Sequence, residues 1–141
     1  MPGGLARRRR VTLEPLLSAP MLVQVHAAAA ASAFVLGLVQ FAAPKGTLPH
    51  RTLGWIWVGL MAVVALTSFG IREVAGPGTL SWIHLLSILT LVMLPVAIVA
   101  VRRGRVSAHK WTMVWLFLGG LVIAGAFTFI PPRVLGRVVF G

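Results

Sequence analysis

The sequence contains no cysteine. That excludes disulfides, thiolate metal sites, iron–sulfur clusters and thioether-attached c-type haem. Acids are almost as scarce: Glu14 and Glu73 stand against thirteen lysines and arginines. No acid lies inside any long apolar run, so proton pumping and cation transport lack the carboxylates they depend on. A Ser–His hydrolase would lack the buried acid that orients its base. Only 11% of the residues are charged, whereas soluble domains average about a quarter. Apolar residues take their place. The chain is 58% hydrophobic with a mean hydropathy of +0.94, the composition of an integral membrane protein, and its 141 residues amount to one domain. The net charge of +11 comes from short basic segments between apolar runs, where it meets lipid headgroups. No basic face remains to grip nucleic acid.

A helix crosses a bilayer with about 20 apolar residues, and four stretches satisfy this: 21–43, 52–71, 80–101 and 111–130. Ser18 and Pro20 open the first and Pro44 closes it, Arg72 closes the second, "RRGR" the third, and Pro131 with Pro132 the fourth. The connections are short, so neighbours run antiparallel. The fold class is all-α, an integral membrane up-down four-helix bundle. Residues 1–17 form a basic N-terminal segment, 18–131 the transmembrane domain, and 132–141 an interfacial tail. Pro95 inside the third span predicts a kink, and the tryptophans near the span starts predict an interfacial belt. "ARRRR" before an apolar run resembles a signal peptide, but the run is too long and three more spans follow. Counting the N-terminal side as side A, seven basic residues lie there and six on side B. The positive-inside rule then places the N-terminus in the cytoplasm. The "RRGR" and "AGPGT" connections read as a headgroup anchor and a solvated turn.

The four histidines fall into a pattern. His26 and His84 lie near the side-A ends of the first and third spans. His50 and His109 open the second and fourth on side B. In an up-down bundle these are the two diagonals. At 1.5 Å per residue the A pair sits roughly 10 Å from the span centres and the B pair about 16 Å away on the other side, about 25 Å apart along the membrane normal. Two imidazoles facing across a bundle are an axial ligand set for low-spin b-type haem. The pairs are too far apart for a four-histidine zinc site. Room for a macrocycle would come from the stripe His26, Ala30, Ala33, Gly37, Gln40, from Gly54 one turn after His50, from Ser87 and Thr90 after His84, and from Gly120 on the His109 face. Small residues serve close helix packing equally well. His50 and His109 also read as headgroup-level anchors. His26 and His84 also read as core groups bonded to Ser87, Thr128 or a backbone carbonyl.

Two resemblances accompany this reading. "HAAAAASAFVLGLVQF", "KGTLPHRTLGWIWV", "IHLLSILTLVMLPVAI" and "GAFTFIPPRVLGRVVFG" resemble a bacterial family of predicted four-helix membrane proteins of unknown function, over nearly the whole chain. That likeness implies a topology and a place in the bacterial inner membrane. The histidine arrangement is similar to that of the transmembrane di-haem b-type cytochromes, the ascorbate-reducible group, with "HRTLG" matching a signature of His, three residues and Gly. This second resemblance implies one or two haem b groups. Their ligands would be His26, His84, His50 and His109, with Gly54 beside the ring. Arg51 is placed to meet a propionate. Met113 stands where that group has a small residue, and the group's ascorbate-contacting residues and two flanking helices have no counterpart. The expected function is electron transfer across the bilayer, from a quinol or other reductant to an acceptor protein, and not a self-contained enzyme activity. The rival expectation is a cofactor-free accessory or assembly subunit of a larger membrane complex. Quinone or lipid binding by the histidine and glutamine groups is a third.

Overall fold

The computed structural model describes residues 11–71, 82–129 and 134–140. The arginines at 7–10, the Arg72–Glu73 and "AGPGT" segment, and the prolines at 131–132 lie outside them. Four helices are long and apolar enough to span a membrane: Met21–Ala42, Leu48–Ser68, Trp82–Arg102 and Val106–Thr128. A short helix, Glu14–Leu17, precedes them and packs against a C-terminal helix, Val134–Phe140. Gln24 ties the N-terminal turn to the first span by donating to the carbonyls of Leu17 and Ala19 at 3.1 and 2.8 Å.

The span ends follow local chemistry more than hydropathy. At the end of the first span, Lys45 Nζ donates to the carbonyls of Gln40, Phe41 and Ala43 at 3.0, 2.6 and 2.8 Å. Those are carbonyls left without helical partners. Gly46 then turns the chain at φ 79°, a conformation that favours glycine. Thr47 caps the second span, its hydroxyl accepting from the His50 N–H at 3.3 Å, with Pro49 in the first turn. The second helix therefore begins at Leu48, four residues before its apolar run suggests, and His50 lies within its first turn. The fourth likewise starts at Val106, ahead of Trp111, so His109 is inside it. Pro95 sits within the third helix without ending it. The fourth span widens into a π-helical stretch over Leu118–Ile123, at "LGG", where two adjacent glycines loosen the α-helical preference.

Consecutive spans pack side by side, and the π stretch of the fourth touches both the first and the third. The four thus form a ring in which first faces third and second faces fourth. At its centre Ala33, Trp57, Met61, Leu94, Leu116, Phe117 and Leu121 form one buried cluster. Trp57 was expected in the interfacial belt and is instead core, 4% exposed, while Trp55, Trp82, Trp111 and Trp115 are all about half exposed or more. Two residues along a helix is about 200° of rotation, so Trp55 and Trp57 face opposite ways. The outward surface carries Leu66, Leu85, Leu89 and Val92, each more than half exposed, as a lipid-facing wall does.

Nearer side A the second and third spans are joined by a buried hydrogen bond of 2.6 Å between the hydroxyls of Ser68 and Ser87. Each hydroxyl can also donate to its own helix, Ser68 to Ala65 O at 2.7 Å and Ser87 to Ile83 O at 3.1 Å. Interhelical hydroxyl bonds in membrane proteins contribute about 0.6 kcal/mol on average. Ser68→Ala is expected to lower stability by about that amount, read as a small drop in the denaturation midpoint in detergent micelles.

Candidate functional site

The ring carries two polar levels separated by the apolar cluster. On side A, His26 Nδ1 lies 2.8 Å from Thr67 Oγ1 on the second span. The Thr67 hydroxyl has one proton, and it points at its own helix, with Val63 O at 2.7 Å and Val64 O at 3.1 Å. Thr67 can therefore accept from His26 Nδ1–H, the tautomer that leaves Nε2 unprotonated. His84 is buried, and its ring lies 5.6 Å from that of Phe69. His26 and His84 thus approach the end of the second span, at Thr67 and Phe69, from the two spans that flank it. Neither Ser87 nor Thr128 is a hydrogen-bonding partner of His26. Ser87 is engaged with Ser68, and the Thr128 hydroxyl donates to Gly125 O at 2.6 Å.

On side B, His109 Nδ1 lies 2.9 Å from the carbonyl oxygen of Ala97 on the third span. A carbonyl can only accept, so Nδ1 carries the proton and Nε2 is again the basic nitrogen. His50 and His109 lie within electrostatic reach of each other. Gln40 Nε2 donates to the backbone carbonyl of His50 at 2.9 Å. Gln40 Oε1 and His50 Nδ1 are both buried without a hydrogen-bond partner among the described residues. Buried polar atoms of this kind call for a proton donor, a water or a bound group.

The small residues read as room for a macrocycle have protein neighbours. A Cβ on Gly37 would lie 2.5 Å from the Phe117 ring and 3.1 Å from Trp57 Nε1. One on Gly120 would lie 3.1 Å from Met61 Cε, and one on Gly54 would lie 3.3 Å from Gln40 Nε2. Ala33 belongs to the central cluster. The mid-membrane part of the His26 stripe therefore makes room for aromatic side chains and not for a flat ring. Arg51 is exposed on the first turn of the second span. Among the described residues no group of three or more His, Cys, Asp or Glu side chains could hold a metal ion. Axial ligation of a haem b calls for imidazoles on opposed spans, and the order of the spans sets His26 opposite the span of His84 and His50 opposite the span of His109.

Thr67 was the residue that sequence reasoning missed. It is 41 residues from His26, and its one signal is a hydroxyl near the side-A end of an otherwise apolar run.

A ring of four apolar helices with its polar groups turned inward at two levels defines an integral membrane protein of the four-helix class. The chain belongs to a family described as predicted membrane protein (DUF2306), whose pattern matches residues 23–136. No curated protein and no solved structure matches it.

Proposed function

We propose that this protein is a membrane b-type cytochrome that carries electrons across the bilayer. His26 with His84 and His50 with His109 would hold one haem b at each level. The observation that carries the reading is the contact that Nδ1 of His26 and of His109 each makes with a group on a neighbouring span. Donation of Nδ1–H to Thr67 Oγ1 and to Ala97 O would orient the rings and raise the basicity of the nitrogen left for a metal. Bound there, haem supplies a one-electron redox centre whose iron has no open position, which suits transfer and not oxygen chemistry. The chain's own residues supply the rest. Thr67 and Ala97 O fix two of the imidazoles. The central cluster keeps water out between the levels. Arg51 stands at the side-B surface, where a propionate would emerge. The reductant, a quinol or another donor, and the acceptor protein would meet opposite faces. The slight excess of basic residues on side A supports a bacterial inner-membrane setting with a cytoplasmic N-terminus.

One observation favours a second reading, that of a cofactor-free accessory subunit of a larger membrane complex. The same two hydrogen bonds satisfy His26 and His109 within the bundle, and such bonds hold spans together unaided. A reduced-minus-oxidised optical spectrum of the full chain in mild detergent, expressed with haem in supply, separates the two. Low-spin b-type bands at two haems per chain are expected. His26→Ala and His109→Ala should each remove one haem and leave the other. Absence of bands in a helical, monodisperse preparation would overturn the proposal and leave the accessory reading standing.

A further inference from the structure

A groove of about 420 Å³ runs along the outer seam between the third and fourth spans. Its wall is apolar, formed by Pro95, Val99 and Ala108, and its mouth is held by Arg103 and Arg105. Thr112, also on the wall, has a hydroxyl that none of the described residues hydrogen-bonds. From Arg103 to Pro95 is roughly 12 Å at the helical rise of 1.5 Å per residue, so the groove descends from headgroup level into the hydrocarbon layer.

The two arginines are placed by the backbone. Gly104 takes φ 72°, the left-handed conformation of a helix-ending turn. The N–H groups of Gly104 and Arg105 close that turn on Val101 O and Ala100 O at 3.1 and 2.9 Å. Arg103 and Arg105 therefore flank one tight turn over the groove. Neither has an acidic neighbour among the described residues. The one side-chain carboxylate among the described residues is Glu14, beside the C-terminal helix at the opposite end of the bundle. Arg102, the next cation along, is stationed over the Trp55 ring, 5.9 Å from its centroid.

We propose that this groove binds one anionic phospholipid, its phosphate between Arg103 and Arg105 and one acyl chain along the wall down to Pro95. Two guanidinium groups at headgroup level attract a phosphate, and the apolar descent below them fits a hydrocarbon tail. The site faces outward and uses none of the four histidines, so it stands apart from the haem reading.

The test is native mass spectrometry of the full chain in a neutral detergent, titrated with phosphatidylglycerol. One retained lipid per chain is expected. The double variant Arg103→Gln/Arg105→Gln should weaken binding about thirtyfold, from the roughly 1 kcal/mol that each basic residue contributes near an anionic surface. Ala108→Phe keeps both charges and fills the groove, and should weaken binding comparably. Arg137→Gln, at the other end of the molecule, should leave it unchanged. Equal binding of phosphatidylcholine, or full affinity in the double variant, would overturn the proposal. So would full affinity in Ala108→Phe, which would reduce the effect to surface attraction. Displacement of the lipid by inorganic phosphate would mark a free-anion site and overturn the lipid assignment.

Discussion

Trp57→Ala is expected to lower the stability of the bundle by about 3–5 kcal/mol, the range for removing a buried aromatic side chain. Trp57 is 4% exposed and packs within the central cluster of Met61, Leu94, Phe117 and Leu121. Its Nε1–H donates to Ala33 O at 2.9 Å, linking the second span to the first. Trp57→Phe keeps most of the packing and loses the hydrogen bond, so it should cost about 1 kcal/mol plus the unfilled volume. Both are read from equilibrium denaturation in detergent micelles. A Trp57→Ala protein within 1 kcal/mol of the parent would show that the aromatic core does not hold the bundle together.

Gly37→Leu is the second large effect. Even the first added carbon would sit 2.5 and 2.6 Å from two atoms of the Phe117 ring, closer than real Cβ contacts come. Phe117 cannot easily withdraw. It is stacked on Phe34 with centroids 5.5 Å apart and edge-on to Phe41 at 5.0 Å. The alternative is for the first and fourth spans to separate, which uncovers the cluster. Overpacking typically costs about 1–3 kcal/mol and sometimes more, and a leucine at so constrained a point should reach or pass the upper end. Adding Phe117→Ala to Gly37→Leu should recover part of the loss, since the two sites compete for one volume. Strictly additive losses would mean that they do not meet.

Much of this architecture is legible in the sequence, because a bilayer restricts the answer to lengths of apolar helix. The four spans, their order, and the opposition of first to third and second to fourth follow from run lengths and short connections. What hydropathy hides is the detail that hydrogen bonds decide. It places the second span's start at Thr52, because it cannot weigh Thr47 as a cap. It cannot foresee that Lys45 turns back to close the first helix. The alternation of Trp55 outward and Trp57 inward is invisible to a rule that assigns every terminal tryptophan to the interface. The stripe of small residues is legible as a stripe, but its use is not. Gly37 accommodates the Phe117 ring from a helix 80 residues away, a long-range contact with no local signature. The same limit hid Thr67, because a threonine near the end of an apolar run has many possible uses until the partner helix is in place.

The π-helical stretch at Leu118–Ile123 has a consequence for the fourth span as a whole. One extra residue in a helical turn rotates everything beyond it by about 100° relative to an unbroken α-helix. The span is therefore two half-helices whose faces are offset by about 100°. The half before the stretch is aligned by His109 on Ala97 O, and the half after it by Phe127, whose ring meets that of Trp82 at 5.2 Å. The offset lets one span make both contacts, as a spliced shaft carries the gears at its two ends at different angles.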